Sequence, residues 1–258
     1  MVAAGRLMGE PSAAAVSSFS SYASDVEARL GRQHRSQEDF LTVAAPGSES
    51  EARLRRGELV VEQVTPSAGD FSGSMLHHWR GTAFVPGGSV ADFERLLRDF
   101  DAYPQRFAPE VVRARVVARG HDHLQVEMRA RQKHVITVVM DTSYDVCFGQ
   151  IDARHGFSIS RSMRISEIEA AGTDREQVLS SSEAHGFLWR LNTYWSYEER
   201  DGGLYVQIET VALSRAIPTG LGWAMRPYVE SVPRESLEFT LRSACNTLTA
   251  APKHSPGG

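Results

Sequence analysis

The chain has 258 residues, of which 41% are hydrophobic and 23% are charged, and its formal net charge is −4. These values are typical of a globular protein with one large domain, or one domain with an extension. They argue against nucleic acid as a partner, since nucleic-acid binders carry a basic excess on one face, and they give no field that would hold the chain on an anionic membrane.

No apolar run reaches the roughly 18 residues that a membrane-spanning helix needs. The first eleven residues contain one arginine and no apolar stretch long enough for a signal peptide. We therefore expect a soluble protein without an integral membrane segment. The sequence does not fix its compartment, which would be cytoplasmic, or exported if a leader has been removed.

Residues 1–74 are predicted to form an N-terminal extension to the main domain. Apolar residues recur at helical spacing over about residues 14–31, so we expect a helix that packs its apolar stripe on that domain. Residues 42–57 contain small and turn-forming residues, which favour a loop. Residues 58–65 predict a short strand.

The main domain is predicted over residues 75–250 and begins with a strand at Met75–Val85. Ser89–Phe100 has apolar residues with a period near 3.6, and Ser89 is a good N-cap, so this segment predicts an amphipathic helix. A second helix follows and is broken at Pro104. From Val111 the period changes to two, which predicts strands as far as Ser214.

The strand that ends near Lys133 alternates most clearly. Its apolar residues from Leu124 to Ala130 share one face, and charged residues share the other, which predicts one buried and one solvated face. Further strands are predicted over Val135–Phe148, His155–Ile168, Phe187–Arg200 and Leu204–Ser214.

The end of the main domain predicts one long helix. Ile217–Tyr228 contains two prolines and two glycines and is expected to be an irregular crossover. Ser231 is expected to cap a helix that runs to Leu248, with Pro233 in its first turn. The tail, Ala251–Gly258, is expected to be disordered.

One helical interruption, an uninterrupted antiparallel sheet and a terminal helix are the element order of a helix-grip fold. Phe93–Pro104 looks like the helix pair of the START-like superfamily, also described as birch-pollen-allergen-like or polyketide-cyclase-like, and Gly202–Pro218 is similar to its last strand and crossover. The resemblance covers about residues 75–248. It implies an α+β protein in which a curved antiparallel sheet wraps around a long C-terminal helix, here with an N-terminal helical extension.

A sheet that curls around a helix leaves a gap, and a concave, mostly apolar gap is the usual site for a small molecule. The leading hypothesis is non-catalytic binding or transport of a hydrophobic, lipid-like molecule. The alternative is an enzyme of the polyketide cyclase or aromatase type that acts on an apolar substrate in the same cavity. A third interpretation is an interaction module whose pocket is filled by side chains. The oligomeric state is not indicated.

Strand parity selects candidate cavity residues. Arg161 falls on an apolar parity, where it could anchor a ligand carboxylate or phosphate, or pair with a buried acid. His134 and Tyr144 could bind a ligand or exchange protons, and both could equally be satisfied core residues. The candidate pocket lining is His134, Tyr144, Arg161, Trp189, Thr193, Trp195, Tyr197 and Trp223.

The sequence indicates no metal site and no cofactor. His77 and His78 adjoin in a strand and therefore point to opposite faces, and the histidines at 121 and 123 belong to a hairpin turn. Cys147 and Cys245 lie far apart, without a CxxC motif, and are expected to be free thiols. The chain has no glycine-rich phosphate loop, nucleophile elbow or HExxH motif, so we predict no catalytic constellation.

Overall fold

The computed structural model describes residues 10–36, 40–41, 45–64, 71, 73–133, 136–216 and 222–250, with the backbone alone at 222–230. The helices are α1 (Ala13–Gln33), α2 (Glu49–Arg55), α3 (Val90–Arg98), α4 (Tyr103–Arg106) and α5 (Gly222–Ala250). The strands are β1 (Val60–Gln63), β2 (Ser74–Pro86), β3 (Val111–Arg119), β4 (His123–Lys133), β5 (Thr137–Asp152), β6 (His155–Glu169), β7 (Gln177–Val178), β8 (Arg190–Arg200) and β9 (Gly203–Arg215).

Within these ranges, nine strands form a single antiparallel sheet in the order β1-β2-β9-β8-β6-β5-β4-β3, with β7 paired to β6. The sheet curls around α5, because β2 contacts this helix directly while strands as far as β3 contribute side chains to the space beneath it. We call the face toward α5 the inner face. The predicted helix-grip fold is confirmed. No described helix is long and apolar enough to cross a membrane.

Helix α1 covers the opposite, outer face of the sheet. Ser12 caps the helix by accepting a hydrogen bond from the Ala15 amide at 3.1 Å. The buried stripe of α1, which runs from Ala15 to Leu30, packs on outer-face residues that include Trp189 and Leu213. The expectation that this helix packs on the main domain is therefore correct.

The segment between α1 and β2 differs from the prediction at α2. Residues 49–55 were expected to form a loop, but Ser48 accepts a hydrogen bond from the Glu51 amide and starts a helix whose Leu54 is fully buried. Serine followed three residues later by glutamate is a capping-box pattern. β1 pairs with β2 across the predicted domain boundary at residue 74, and that boundary stays a prediction.

The last helix also begins earlier than predicted. α5 starts at Gly222 and continues through Ser231, so Ser231 is not its N-cap and Gly222–Tyr228 is helical. Proline and glycine disfavour helix locally, but tertiary packing commonly outweighs such preferences. The rest of the predicted crossover, residues 217–221, and the tail 251–258 lie outside the described residues.

Helix α5 approaches β2 closely at Gly81. A Cβ atom at this position would overlap Leu237 Cδ2 and lie 3.2 Å from Leu241 Cδ2. Leu237 and Leu241 are buried in the main core. The missing side chain at Gly81 therefore sets the distance between the helix and the sheet.

Gly81→Ala is expected to lower the free energy of unfolding by about 1 to 3 kcal/mol, because the new methyl group overpacks the contact with α5. Gly120→Ala is the matched control, since a Cβ there would lie 3.6 Å from its nearest neighbours in an ordinary contact. Urea denaturation of both variants measures the difference. Equal stability of the two variants would contradict the close-approach argument.

A buried charge cluster ties α1 to the outer face. The fully buried Glu209 accepts hydrogen bonds from Arg80 Nε at 2.9 Å, from Arg29 of α1 and from His78 Nε2 at 3.0 Å. A carboxylate only accepts, so His78 donates from Nε2, and its Nδ1 lies 2.9 Å from the Tyr22 hydroxyl. Burial alone would raise the pKa of Glu209, but the His78 hydrogen bond and the two arginines outweigh it and lower this pKa to about 2.

Glu209→Gln is expected to lower stability at neutral pH by about 3 kcal/mol, because it leaves two arginines without their shared counter-charge. In the unmodified protein the contribution of Glu209 is present above pH 4.5, the ordinary pKa of the group, and is lost as pH falls toward 2. The control is Glu62→Gln, which removes an exposed partner of Arg80 and should cost less than about 1 kcal/mol. Denaturation at several pH values tests both statements.

Candidate functional site: a cavity beneath helix α5

The inner face of the sheet and α5 enclose a cavity of about 530 Å³. Strands β2 to β6, β8 and β9 form its wall, α5 covers it, and the segment from α3 to α4 closes one side. The even-numbered residues at 128–132 of β4 and 138–148 of β5 line it, and Leu124 and Val126 share this face in the adjoining core, as the alternation at Leu124–Ala130 predicted for the buried face of β4. The cavity is a consequence of strand parity on a curved sheet.

Most of the lining is apolar. It includes aromatic and aliphatic side chains from α3, the segment after it, β4, β5, β8, β9 and α5: Leu97, Phe100, Phe107, Met128, Met140, Val146, Phe148, Leu191, Ile208 and Leu237. Hydroxyl groups from the strands interrupt this surface at Thr142, Ser158, Ser160, Thr193 and Thr210. The Thr142 hydroxyl donates to the Met128 carbonyl at 3.0 Å. Such a lining suits a largely apolar molecule with a few polar atoms.

One carboxyl group lies in the lining, at Glu110 immediately before β3. Its backbone carbonyl accepts a hydrogen bond from the Arg131 amide at 2.7 Å, which fixes the residue beside β4. Gln132 Nε2 donates to the Ser236 hydroxyl of α5 at 3.0 Å, and this hydroxyl donates to Glu110 Oε2 at 3.4 Å. We call Glu110, Gln132 and Ser236 the Glu110 cluster. Burial raises the pKa of Glu110 to about 7, although the Ser236 hydrogen bond opposes the shift.

The other titratable groups among the described lining residues, His77, Tyr103 and Tyr144, are uncharged at neutral pH. Burial lowers the pKa of His77 to about 4, and its Nε2 lies 3.0 Å from the Ser214 hydroxyl. Burial raises the pKa of Tyr144 to about 12 and also raises that of Tyr103, whose hydroxyl donates to the Leu97 carbonyl. None of the lining residues that the structure describes is lysine or arginine.

Three of the predicted pocket residues lie in the cavity wall, at Tyr144, Thr193 and Trp195. Tyr197 shares their face but is fully buried in the core, with its ring 5.0 Å from that of Phe93. His134 and the side chain of Trp223 lie outside the described residues.

The predicted positions of Arg161 and Trp189 are wrong, because both residues lie on the outer face. Arg161 donates two hydrogen bonds to Glu27 of α1, at 2.8 and 2.7 Å, so it pairs with an acid and does not reach the cavity. Trp189 packs in the cluster beneath α1. The apolar parity of β6 that includes Ile159 is the one covered by α1, and parity alone cannot tell two covered faces apart.

Sequence reasoning missed the polar residues of greatest chemical interest. His77 was placed correctly on the face opposite to His78, but it was considered only as a metal ligand. Gln132 continues the buried parity of β4, which was a usable signal. Glu110 stands outside any strand, and only the fold brings it to Gln132 and Ser236.

One group of three possible metal ligands is found among the described residues, on the outer face of β4 and β5. Its members are His123, Asp145 and Cys147, whose ligand atoms lie within 4.8 Å of one another. A hydrogen bond between His123 and Asp145 accounts for two of the three without an ion. The group does not face the cavity. Cys147 and Cys245 are free thiols, as expected.

A comparison with protein-family models finds no match, and none of the curated proteins matches the chain. The solved structures that are similar include a protein of Thermus thermophilus, with 17% identity over 67% of this chain and 98% of that one and a TM-score of 0.49. A STAR-related lipid transfer protein of Xanthomonas axonopodis has 14% identity, coverage of 73% and 98%, and a TM-score of 0.45. The Zhui aromatase/cyclase of a Streptomyces species has 12% identity, coverage of 67% and 94%, and a TM-score of 0.46. Similarities at these values do not identify the ligand or the activity of this chain, which must be inferred from its own cavity.

Glu110→Gln is expected to stabilise the ligand-free protein at about pH 8 by about 1 to 2 kcal/mol, a figure reduced for partial solvent screening. The folded pKa of Glu110 is raised, so ionising it removes stability as pH rises from 4.5 through 7. Glutamine cannot ionise, and at about pH 4 the two proteins should therefore be equally stable. Glu127→Gln, on the outer face of β4, is the control and should show no such gain. Denaturation of both variants and the unmodified protein at the two pH values measures this difference, and an equal stability of Glu110→Gln and the unmodified protein at about pH 8 would contradict it.

Proposed function

We propose that the protein binds and carries a hydrophobic, lipid-like small molecule in the cavity beneath α5, without catalysing a reaction. The observation that supports this most directly is an apolar space of about 530 Å³ in the centre of the fold. Protein interiors are close-packed, and voids larger than a water molecule are few. Ligand pockets commonly have volumes of roughly 300–1,000 Å³, so this one has the size of a ligand site.

The catalytic alternative needs at least two reactive groups near one point of the cavity. Of the groups on which it depended, Arg161 lies on the outer face, and Tyr144 has a phenol whose pKa is raised. The carboxyl of Glu110 has a pKa suited to proton transfer, and it is the observation that favours a cyclase-like or aromatase-like enzyme. It accepts a hydrogen bond from the neutral Ser236, which in turn accepts one from the neutral Gln132, and this supports binding in preference to catalysis.

The third interpretation, an interaction module with a filled pocket, requires side chains to occupy the space beneath α5. The lining residues instead leave the cavity open. This supports a small-molecule ligand as the partner of the inner face.

The proposal is tested by extracting the purified protein with organic solvent and by titrating it with N-phenyl-naphthylamine, an uncharged fluorescent probe of apolar sites. We expect a co-purified apolar compound in the mass spectrum and saturable probe binding. If the folded protein gives neither the co-purified compound nor saturable probe binding, the proposal is overturned.

Ala212→Phe is expected to reduce probe affinity by tenfold or more, about 1.4 kcal/mol, because Ala212 lines the cavity and a phenyl ring would occupy part of it. Val112→Phe is the matched control, since Val112 is 46% exposed on β3. Fluorescence titration of both variants is the measurement, with circular dichroism to show that both fold. Equal probe affinity in the two variants would place the binding site elsewhere.

A further inference from the structure

The polar groups of the cavity have a consistent electrostatic character, which restricts the ligand. The described lining carries one carboxyl group, several hydroxyls and an imidazole, but neither lysine nor arginine. The lysine and arginine side chains that the structure describes lie outside the lining, and several of them pair with acids on the outer face, as Arg161 does with Glu27 and Arg129 with Asp141. The inner face can therefore offer acceptors and neutral donors, but no cationic counter-charge from these residues.

The Glu110 cluster is arranged so that its carboxyl can accept a hydrogen bond from a donor group on the ligand. Gln132 and Ser236 donate in sequence toward Glu110 Oε2, and the Ser236 contact, at 3.4 Å, is a long one. Among the described residues, Ser236 alone donates a hydrogen bond to this carboxyl. A partly buried carboxylate that has one weak hydrogen-bond partner gains from a further donor. A hydroxyl or an ammonium group on the ligand would supply it.

We propose that the cavity selects an apolar molecule whose polar end donates a hydrogen bond to Glu110, an alcohol or a protonated amine, and that it discriminates against fatty acids and other apolar anions. This inference rests on the proposed function and adds the class of ligand to it. A carboxylate ligand would bring a second negative charge toward Glu110 in a space where the described residues provide no counter-ion. An alcohol or an amine satisfies the same carboxyl.

The experiment compares dodecanol, dodecylamine and dodecanoate, which share one chain and differ in the polar end. Each is added below its micelle-forming concentration to the full chain saturated with N-phenyl-naphthylamine, at about pH 8, where Glu110 is largely ionised. We expect dodecanol and dodecylamine to displace the probe at least tenfold more effectively than dodecanoate. The two effective compounds distinguish a hydroxyl from an ammonium as the preferred donor.

The variant Glu110→Gln tests whether Glu110 is the group responsible for the preference. The variant should lose most of the preference for dodecylamine over dodecanoate, while dodecanol and the probe itself still bind. Glu127→Gln, which removes a carboxylate from the outer face of β4, should keep the ranking of the unmodified protein. The readout is the ratio of dodecylamine to dodecanoate affinity within each variant, which a general weakening of the cavity would not alter, so a reduced ratio is not expected from a merely structural role of Glu110.

The outcomes separate the two proposals. If the probe does not bind and no compound alters the protein, the proposed function fails. If the probe binds but dodecanoate equals or exceeds the other two compounds, binding stands and the selectivity for donors is overturned. If the ranking holds and is unchanged in Glu110→Gln, the assignment of Glu110 is overturned. The ranking in the unmodified protein needs no variant, so a variant that fails to fold leaves the main test intact.

Discussion

The contact between α5 and Gly81 is the constraint on which the cavity depends. α5 packs against β2, where the missing side chain at Gly81 admits Leu237 and Leu241, and it touches the sheet far less elsewhere. A helix held close to one side of a curved sheet stands away from the strands that curl around it. The strands β4, β5 and β6 are therefore left with an uncovered inner face, and their side chains line an open space instead of a packed core.

The outer face has the opposite character, because α1 lies directly on it. The helix buries an apolar stripe there and adds charged contacts in its C-terminal half, at Glu27 and Arg29. Beyond the helix, His34 is buried, stacks on Phe157 and has its Nε2 2.8 Å from the Ser196 hydroxyl. This close covering holds the sheet from behind. A sheet supported on its outer face can keep an open inner face without collapsing onto α5.

The same arrangement explains which features could be predicted from the sequence. Element order and period gave the helix-grip fold, since the helical period of Ser89–Phe100 and the alternation of Leu124–Ala130 are local properties. Parity also placed Tyr144, Thr193 and Trp195 correctly on the inner face. It failed at Arg161, because α1 makes the outer face apolar as well, and at Trp189, because this residue precedes the first residue of β8 and the strand alternation does not extend to it. Strand alternation shows that a residue is buried, but not beneath which helix.

The Glu110 cluster could not be predicted because its members come from three elements and none belongs to a motif. Glu110 precedes β3, Gln132 is near the end of β4 and Ser236 lies on α5, so only the curl of the sheet brings them together. Their chemistry also depends on that curl. Outside the cavity the carboxyl would ionise normally, whereas its burial beside α5 makes the charged form unfavourable.

Stability and function are thus linked at one group. Glu209 on the outer face is buried with four hydrogen-bond partners, and its charge stabilises the fold. Glu110 on the inner face is partly buried with one distant hydroxyl, and its charge weakens the fold. A carboxylate that destabilises the ligand-free protein is stabilised by a ligand that donates a hydrogen bond to it. The proposal implies that a ligand with a hydrogen-bond donor recovers part of the stability that ionised Glu110 costs the folded protein. An apolar anion cannot donate such a bond and recovers none of it. This difference between a fully buried and a partly buried glutamate on opposite faces of one sheet is the physical basis on which we propose a structural role for one face and ligand recognition for the other.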